Sequence, residues 1–88
     1  MAIPSATGKV SRVYATSGQV YFRLADIPAA DTPLDGYFRL SQSHPNYDAL
    51  YSLALTAAVN RYDLRIRVAG DVIDPTQHAD VQYMVVDW

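Results

Sequence analysis

The residues best suited to contact a ligand lie in a four-residue sequence that occurs twice, Tyr-Phe-Arg-Leu at 21–24 and again at 37–40. Alternate side chains of a β-strand point to opposite faces, so each copy would bury its Phe and Leu and expose its Tyr and Arg. Tyrosine rings can stack on bases or sugar rings, and arginine can bind phosphates or hydroxyl groups. We therefore predict a ligand-binding face that contains Tyr21, Arg23, Tyr37 and Arg39.

A second interpretation of the same residues needs no ligand. Tyr and Arg side chains often pack against each other across neighbouring strands of a solvated sheet face. Asp63 would pair with a nearby arginine in that arrangement, and Arg65 or Arg67 would join the face if the fourth strand shared it. Both interpretations place the repeated Tyr and Arg outward, and they differ in whether a ligand covers them.

Other residues with chemical potential form no recognisable site. Four residues of metal-binding type lie in one loop: Asp71, Asp74, His78 and Asp80. Their spacing matches no EF-hand or zinc signature, so a polar loop with Asp in its turns is favoured. The chain has no Cys and no Glu, and it lacks a nucleophile elbow or a glycine-rich phosphate loop. We expect no catalysis, no metal and no cofactor.

The segment with helical character is 44–60, HPNYDALYSLALTAAVN. Pro45 suits the first turn, where its missing N–H costs no hydrogen bond, and Asn60 can end the helix in the left-handed conformation. His44 either caps this helix or faces solvent. The apolar arc is wider than one sheet requires. We predict a self-association surface formed by Tyr51, Leu55 and Val59; the alternative is a helix sunk deeply in a small core.

Composition and charge limit the class of protein. A chain of 88 residues has core enough for a single domain, which we place at 8–88 after a flexible segment at 1–7. Half of the residues are apolar, which argues against disorder. The formal net charge of −2 disfavours general binding to duplex nucleic acid. A local stripe of arginines could still attract phosphate.

The cellular compartment is an expectation drawn from what the sequence lacks. There is no cysteine, no secretory signal at the N-terminus and no run near the roughly 20 apolar residues of a membrane span. We expect a cytoplasmic protein by default, without a membrane span. A secreted protein whose mature chain carries an added Met would have the same features.

Patterns on either side of the helix predict strands. Alternating apolar and polar residues define five of them, at 9–14, 19–24, 37–40, 62–69 and 81–88. The first two form a hairpin around a turn at 15–18, and the last is apolar on both faces, so we expect it to be covered on both sides. Long loops occupy 25–36 and 70–80. The element order is therefore β-β-β-α-β-β.

This order resembles the OB-fold, a partly closed five-stranded barrel whose helix plugs one end. The helical stretch HPNYDALYSLALTAAVN, the strand RYDLRIRV and the final strand VQYMVVDW together resemble small bacterial OB-fold proteins similar to the binding subunits of AB-type toxins. The resemblance implies a ring of five copies, with the helices around a pore, that binds cell-surface glycans. It transfers no glycan-contacting residue.

Three functions stay open after these observations, and all of them are non-catalytic. The preferred one, by resemblance, is an oligomeric module that binds carbohydrate. The second is binding of single-stranded nucleic acid on Tyr21, Arg23, Tyr37 and Arg39. The third is a structural assembly or adaptor subunit with no small ligand.

Overall fold

The computed structural model describes residues 4–70 and 72–87, and within them the chain is mainly β with one α-helix. The helix, α1, spans Tyr47–Asn60. The strands are β1 (Ser5–Gly8), β2 (Val10–Thr16), β3 (Gln19–Leu24), β4 (Phe38–Ser41), β5 (Leu64–Val68) and β6 (Ala79–Val86). The predicted class, mainly β with one helix, is confirmed, whereas the number and order of the strands differ from the predicted five-stranded OB-fold.

All six strands belong to one curled sheet that forms a half-barrel, in the order β1-β5-β6-β4-β3-β2. Neighbouring strands are antiparallel except β4 and β6, which run parallel and pair at Phe38 with Ala79 and at Arg39 with Asp80. The prediction of five strands is wrong by one strand. The additional strand is β1, and we expected its first three residues to belong to the flexible segment 1–7; residues 1–3 lie outside the described part.

β1 forms because its backbone finds a complete partner in β5. Ser5 lies opposite Arg67 and Gly8 opposite Leu64, and the Val68 N–H donates to the Pro4 carbonyl. Ala6 is buried against the core, although the small residues around it carry little strand signal of their own. Backbone pairing and one buried methyl group therefore order a segment that we expected to be flexible.

One residue, Lys9, separates β1 from β2, although these strands form opposite ends of the sheet order. The chain thus passes from one end of the sheet to the other through a sharp change of partner. Gly8 allows this, because a Cβ atom at that position would lie 2.8 Å from the Ala25 carbonyl oxygen. The Ala25 N–H in turn donates to the Lys9 carbonyl at 2.8 Å. The two ends of the sheet order therefore come close together at Gly8 and Lys9.

The core lies inside the curl of the sheet. Val20, Phe22 and Leu24 of β3 point inward, as the alternation predicted, and so do Phe38 and Leu40 of β4. Leu64, Ile66 and Val68 of β5 complete this layer. Burying such side chains stabilises the fold by roughly 1.5–3 kcal/mol each, and it leaves the Tyr and Arg of the repeated sequence on the outer surface.

Helix α1 packs against the sheet through Leu50, Ala54 and Ala57, which are spaced to share one face. The helix begins at Tyr47, two residues after Pro45, so Pro45 lies before the first turn. Asn60 stays helical, and Arg61 takes the left-handed conformation with a φ of 59°. The N–H groups of Arg61 and Tyr62 bond the carbonyls of Ala58 and Ala57, which is the Schellman arrangement.

His44 fixes the start of the helix. Its Nδ1 accepts a hydrogen bond from the Asn46 N–H at 3.0 Å, and its Nε2 lies 3.0 Å from the Gln82 carbonyl on β6. Because Nδ1 is an acceptor, Nε2 carries the proton and donates it to that carbonyl. Of the two roles left open for His44, the structure favours the one at the helix start.

The close passage at Gly8 gives a test of the fold. Replacing Gly8 with Ala should lower the free energy of unfolding by about 1–3 kcal/mol, because the new methyl group meets a backbone carbonyl that cannot rotate away. Chemical denaturation measures the change. Thr7→Ala in the same strand is the matched control and should have a much smaller effect; equal stabilities of the Gly8→Ala variant and the parent chain would contradict the close approach.

Candidate ligand-binding face

The outer face of β2, β3 and β4 is organised by a tight turn. Ser17 and Gly18 connect β2 to β3, with Gly18 at a φ of 91°, a conformation that suits glycine. The turn pairs Thr16 with Gln19, and this register brings Tyr14 directly opposite Tyr21. On the other side, Tyr21 lies opposite Arg39 of β4. Residues far apart in sequence thereby share one surface.

Three tyrosines meet on this surface, and we refer to Tyr14, Tyr21 and Tyr37 as the tyrosine cluster. The rings of Tyr14 and Tyr21 stack with their centroids 4.8 Å apart and their planes 17° from parallel. Tyr37 meets both rings edge-on, at 5.1 Å from Tyr14 and 6.4 Å from Tyr21. Such pairs each contribute about 0.5–1.5 kcal/mol beyond their buried area, so the cluster is held in a defined geometry.

Two arginines flank the cluster on β2 and β3. Arg12 and Arg23 lie opposite each other, both are exposed, and the Arg12 Nη1 donates to the Tyr37 hydroxyl at 3.1 Å. Neither guanidinium takes part in an ion pair within residues 4–70 and 72–87. Their charges are therefore available to an anion, and repulsion between them favours its binding.

A groove of about 460 Å³ lies beside these arginines. Arg12 and Arg23 line one side, and loop 25–36 supplies the other with Asp26 and Thr32 among its lining residues. The loop contains two short 3-10 turns, Ala29–Asp31 and Leu34–Gly36, and the Leu34 N–H donates to the Gln77 carbonyl at 2.9 Å. Because this hydrogen bond joins loop 25–36 to the loop before β6, this side of the groove has a defined position.

Arg39 is differently placed from the other predicted site residues. Its Nε and Nη2 donate to the two carboxylate oxygens of Asp80 at 2.6 and 3.2 Å. These hydrogen bonds, which the Asp80 carboxylate accepts, raise the pKa of Arg39 above its ordinary value. This bidentate pair joins β4 to β6 where the two strands run parallel. The main role of Arg39 is therefore to hold these strands together, and binding a ligand is secondary.

The tyrosine cluster perturbs the titration of Tyr14. Partial desolvation raises the pKa of the Tyr14 hydroxyl, and the nearby Tyr21, Tyr37 and Asp35 raise it further through repulsion of the phenolate. Arg12 acts in the opposite direction, because its positive charge favours the phenolate. The pKa of Tyr14 is thus sensitive to the charged residues around the tyrosine cluster.

The structure brings some of the four predicted site residues together and separates others. Tyr21 and Tyr37 come together, Arg23 lies at the adjoining groove, and Arg39 borders Tyr21 but is paired with Asp80. Tyr14 and Arg12 were missed. Their signal was present in the tight hairpin, because counting back from a two-residue turn at 17–18 places Tyr14 opposite Tyr21.

The three predicted interface residues of α1 divide between core and surface. Tyr51 packs against the core and stacks on Tyr47 at 6.0 Å. Leu55 is 37% exposed and Val59 is 80% exposed. The apolar surface that the helix offers to another molecule is therefore made by Leu55 and Val59.

Of the metal-binding candidates, Asp74 and His78 lie between β5 and β6, and Asp80 belongs to β6. Asp74 accepts hydrogen bonds from the backbone N–H and the hydroxyl of Thr76, which lower the pKa of its carboxyl group. Asp71 lies outside the described residues. In the part of the chain that the structure describes, no three residues of His, Cys, Asp or Glu lie together in a way that could hold a metal ion. The same residues contain no helix long and apolar enough to cross a membrane.

Comparison with known proteins adds no relative. The chain matches no protein-family model, no curated protein and no solved structure. The function must therefore be argued from the surface itself, and the resemblance to toxin binding subunits stays a prediction.

Titration of Tyr14 tests the arrangement of charges. Asp35→Asn should lower the pKa of Tyr14, because it removes a negative charge that repels the phenolate, and Arg12→Gln should raise it, because it removes a positive charge that stabilises the phenolate. Tyrosinate absorbance during an alkaline titration measures both shifts, and Tyr14→Phe identifies which step belongs to Tyr14. Shifts of the same sign in both variants would contradict the geometry.

Proposed function

We propose that this protein is a non-catalytic binding module whose outer β2–β4 face binds single-stranded nucleic acid. The observation that carries the proposal is the tyrosine cluster beside two arginines that have no ion-pair partner within the described residues. Proteins that bind single strands combine aromatic platforms for bases with basic grooves for the backbone. Both parts are present here on one surface.

The tyrosine cluster supplies the platform for bases. Tyr14 is 40% exposed although its ring already stacks on Tyr21, so part of its surface remains open to a ligand. Stacking of a base on such a ring is worth roughly 1–3 kcal/mol, and it tolerates any base because each has an aromatic face. We expect little sequence preference.

The groove beside the cluster supplies the contact for phosphates. Arg12 and Arg23 line it together with one carboxylate, that of Asp26, so the lining of the groove is net positive although the whole chain is acidic. The Arg12–Tyr37 hydrogen bond joins the groove to the cluster. A strand with its bases on the rings would place backbone phosphates near the two guanidinium groups.

The topology supports this position for a ligand if the fold is a variant of the OB-fold. Since Lys9 alone separates β1 from β2, we infer that these two strands are halves of one bent strand. Counted in that way, the sheet has five strands, the third and fifth run parallel, and the helix lies between the third and fourth. The OB-fold binds ligands on its second and third strands, which correspond to β3 and β4.

Binding of a labelled oligothymidylate of about 15 nucleotides tests the proposal at several salt concentrations. Tyr21→Ala should weaken binding by roughly 1–3 kcal/mol because one stacking contact is lost. Arg12→Gln combined with Arg23→Gln should flatten the dependence of log K on log salt by about 1.4, the value for two phosphate contacts on a single strand. Fluorescence anisotropy measures both effects.

Two controls accompany this experiment. Tyr21→Phe keeps the ring and should bind nearly as the parent does, and Arg61→Gln removes an exposed arginine from the far end of α1. Unchanged affinity in Tyr21→Ala would remove the β2–β4 face as the site. Binding of a neutral oligosaccharide with no salt dependence would instead support the carbohydrate ligand that the resemblance to toxin subunits implies.

Self-association through α1 remains part of the proposal, and it now depends on Leu55 and Val59. Leu55→Asp should convert an oligomer to a monomer while the fold survives, because the new charge would lie in an apolar contact. Light scattering during size-exclusion chromatography at two protein concentrations measures the mass. Ala49→Asp adds the same charge to another exposed position of the helix and should leave the mass unchanged; a monomeric parent chain would contradict association.

A further inference from the structure

A second aromatic and basic surface lies on the outer face of β5 and β6, beyond the strands that carry the tyrosine cluster. Arg67 of β5 lies opposite Tyr83 of β6, and Arg65 lies opposite Val85. Arg65 is exposed, Tyr83 is 46% exposed, and neither arginine has an ion-pair partner within residues 4–70 and 72–87. We refer to Arg65, Arg67 and Tyr83 as the β5–β6 patch.

The Nε group of Arg67 lacks a hydrogen-bond acceptor among the described residues. This nitrogen atom is also buried. A buried donor without a partner costs about 1–3 kcal/mol, and the cost is greater for a charged group, so a partner that reached it would be favoured. The residues opposite Arg67 are Ser5 and Tyr83, and neither carries a carboxylate.

Tyr83 reaches the surface because of an irregularity in the pairing. Val68 pairs with Val81 and Arg67 with Tyr83, so Gln82 is an extra residue in β6. Val81 and Met84 are both buried as a result, whereas Gln82 and Tyr83 are both exposed. The bulge turns one large aromatic ring outward beside an arginine.

A groove of about 530 Å³ lies along the boundary between β4 and β6, which separates the patch from the first surface in the strand order. It is lined by Gln19, Ser41 and Gln82 along with the paired Arg39 and Asp80. Since Arg39 and Asp80 neutralise each other, the groove presents no net repulsion to a phosphate. The Oε1 atom of Gln19 also accepts a hydrogen bond from the Tyr21 hydroxyl, so one end of the groove lies next to the tyrosine cluster.

We propose that the β5–β6 patch is a second contact region for the same single-stranded nucleic acid. The nucleic acid leaves the tyrosine cluster, crosses the groove between β4 and β6, and places its backbone on Arg65 and Arg67. This inference depends on the proposed function. The patch repeats the chemistry of the first surface, an exposed tyrosine beside two unpaired arginines. β3 and β5 are three strand spacings apart, roughly 14 Å, which several nucleotides can span.

The length of the oligonucleotide distinguishes binding at the tyrosine cluster alone from binding at both regions. Oligothymidylates of about 4 and about 15 nucleotides, at the limits of the site sizes known for this type of domain, are compared by anisotropy at several salt concentrations. Arg65→Gln with Arg67→Gln should flatten the salt dependence for the long oligomer by about 1.4 and leave the short one unchanged. Tyr83→Ala should weaken binding of the long oligomer by roughly 5- to 150-fold.

The outcomes distinguish this inference from the function on which it rests. If the parent chain binds neither oligomer, both fail. If Tyr21→Ala weakens binding while the Arg65/Arg67 variant binds the long oligomer as the parent does, the second region is wrong and the first stands. Capture of an acidic peptide, lost in the Arg65/Arg67 variant, together with unchanged oligonucleotide binding would overturn the inference in favour of a protein partner. Arg61→Gln removes one exposed arginine elsewhere and is the control for loss of positive charge, and circular dichroism checks that each variant is folded.

Discussion

The architecture depends on how closely the backbone at Gly8 passes the carbonyl of Ala25. At this point the chain stops pairing with β5 and begins to pair with β3, so one continuous segment supplies both ends of the sheet order. The sheet must curl to bring these partners within reach. Its concave side then has room for one layer of apolar side chains, and the helix covers what remains open. The Tyr and Arg side chains of the two candidate surfaces are left on the convex side.

The division between inside and outside explains why the candidate surface has a defined geometry. Phe22 and Phe38 are fully buried and directly follow Tyr21 and Tyr37 in the chain, so the core fixes the backbone beside these two rings. The rings then restrict each other by stacking and edge contacts. A surface of this kind binds with little loss of side-chain freedom, because its ordering is completed when the protein folds.

Residue patterns predicted the features that depend on local periodicity and missed those that depend on distant partners. The alternation in β3, β4 and β5 gave the correct inward residues, and the apolar arc located the helix. β1 was missed because Ser5, Ala6 and Thr7 are small and become a strand only through pairing with β5. The last strand is not covered on both sides as expected, because the bulge at Gln82 breaks its alternation. The partner of Arg39 is 41 residues away, on a parallel strand that no local pattern indicates.

The parallel boundary between β4 and β6 has a mechanical consequence. Two registered residue pairs and the Arg39–Asp80 ion pair join the half of the sheet made of β2, β3 and β4 to the half made of β1, β5 and β6. Elsewhere across the sheet, neighbouring strands pair over at least four residues. This boundary therefore has the fewest paired residues in the sheet, and we expect its strands to separate more readily than any other neighbouring pair.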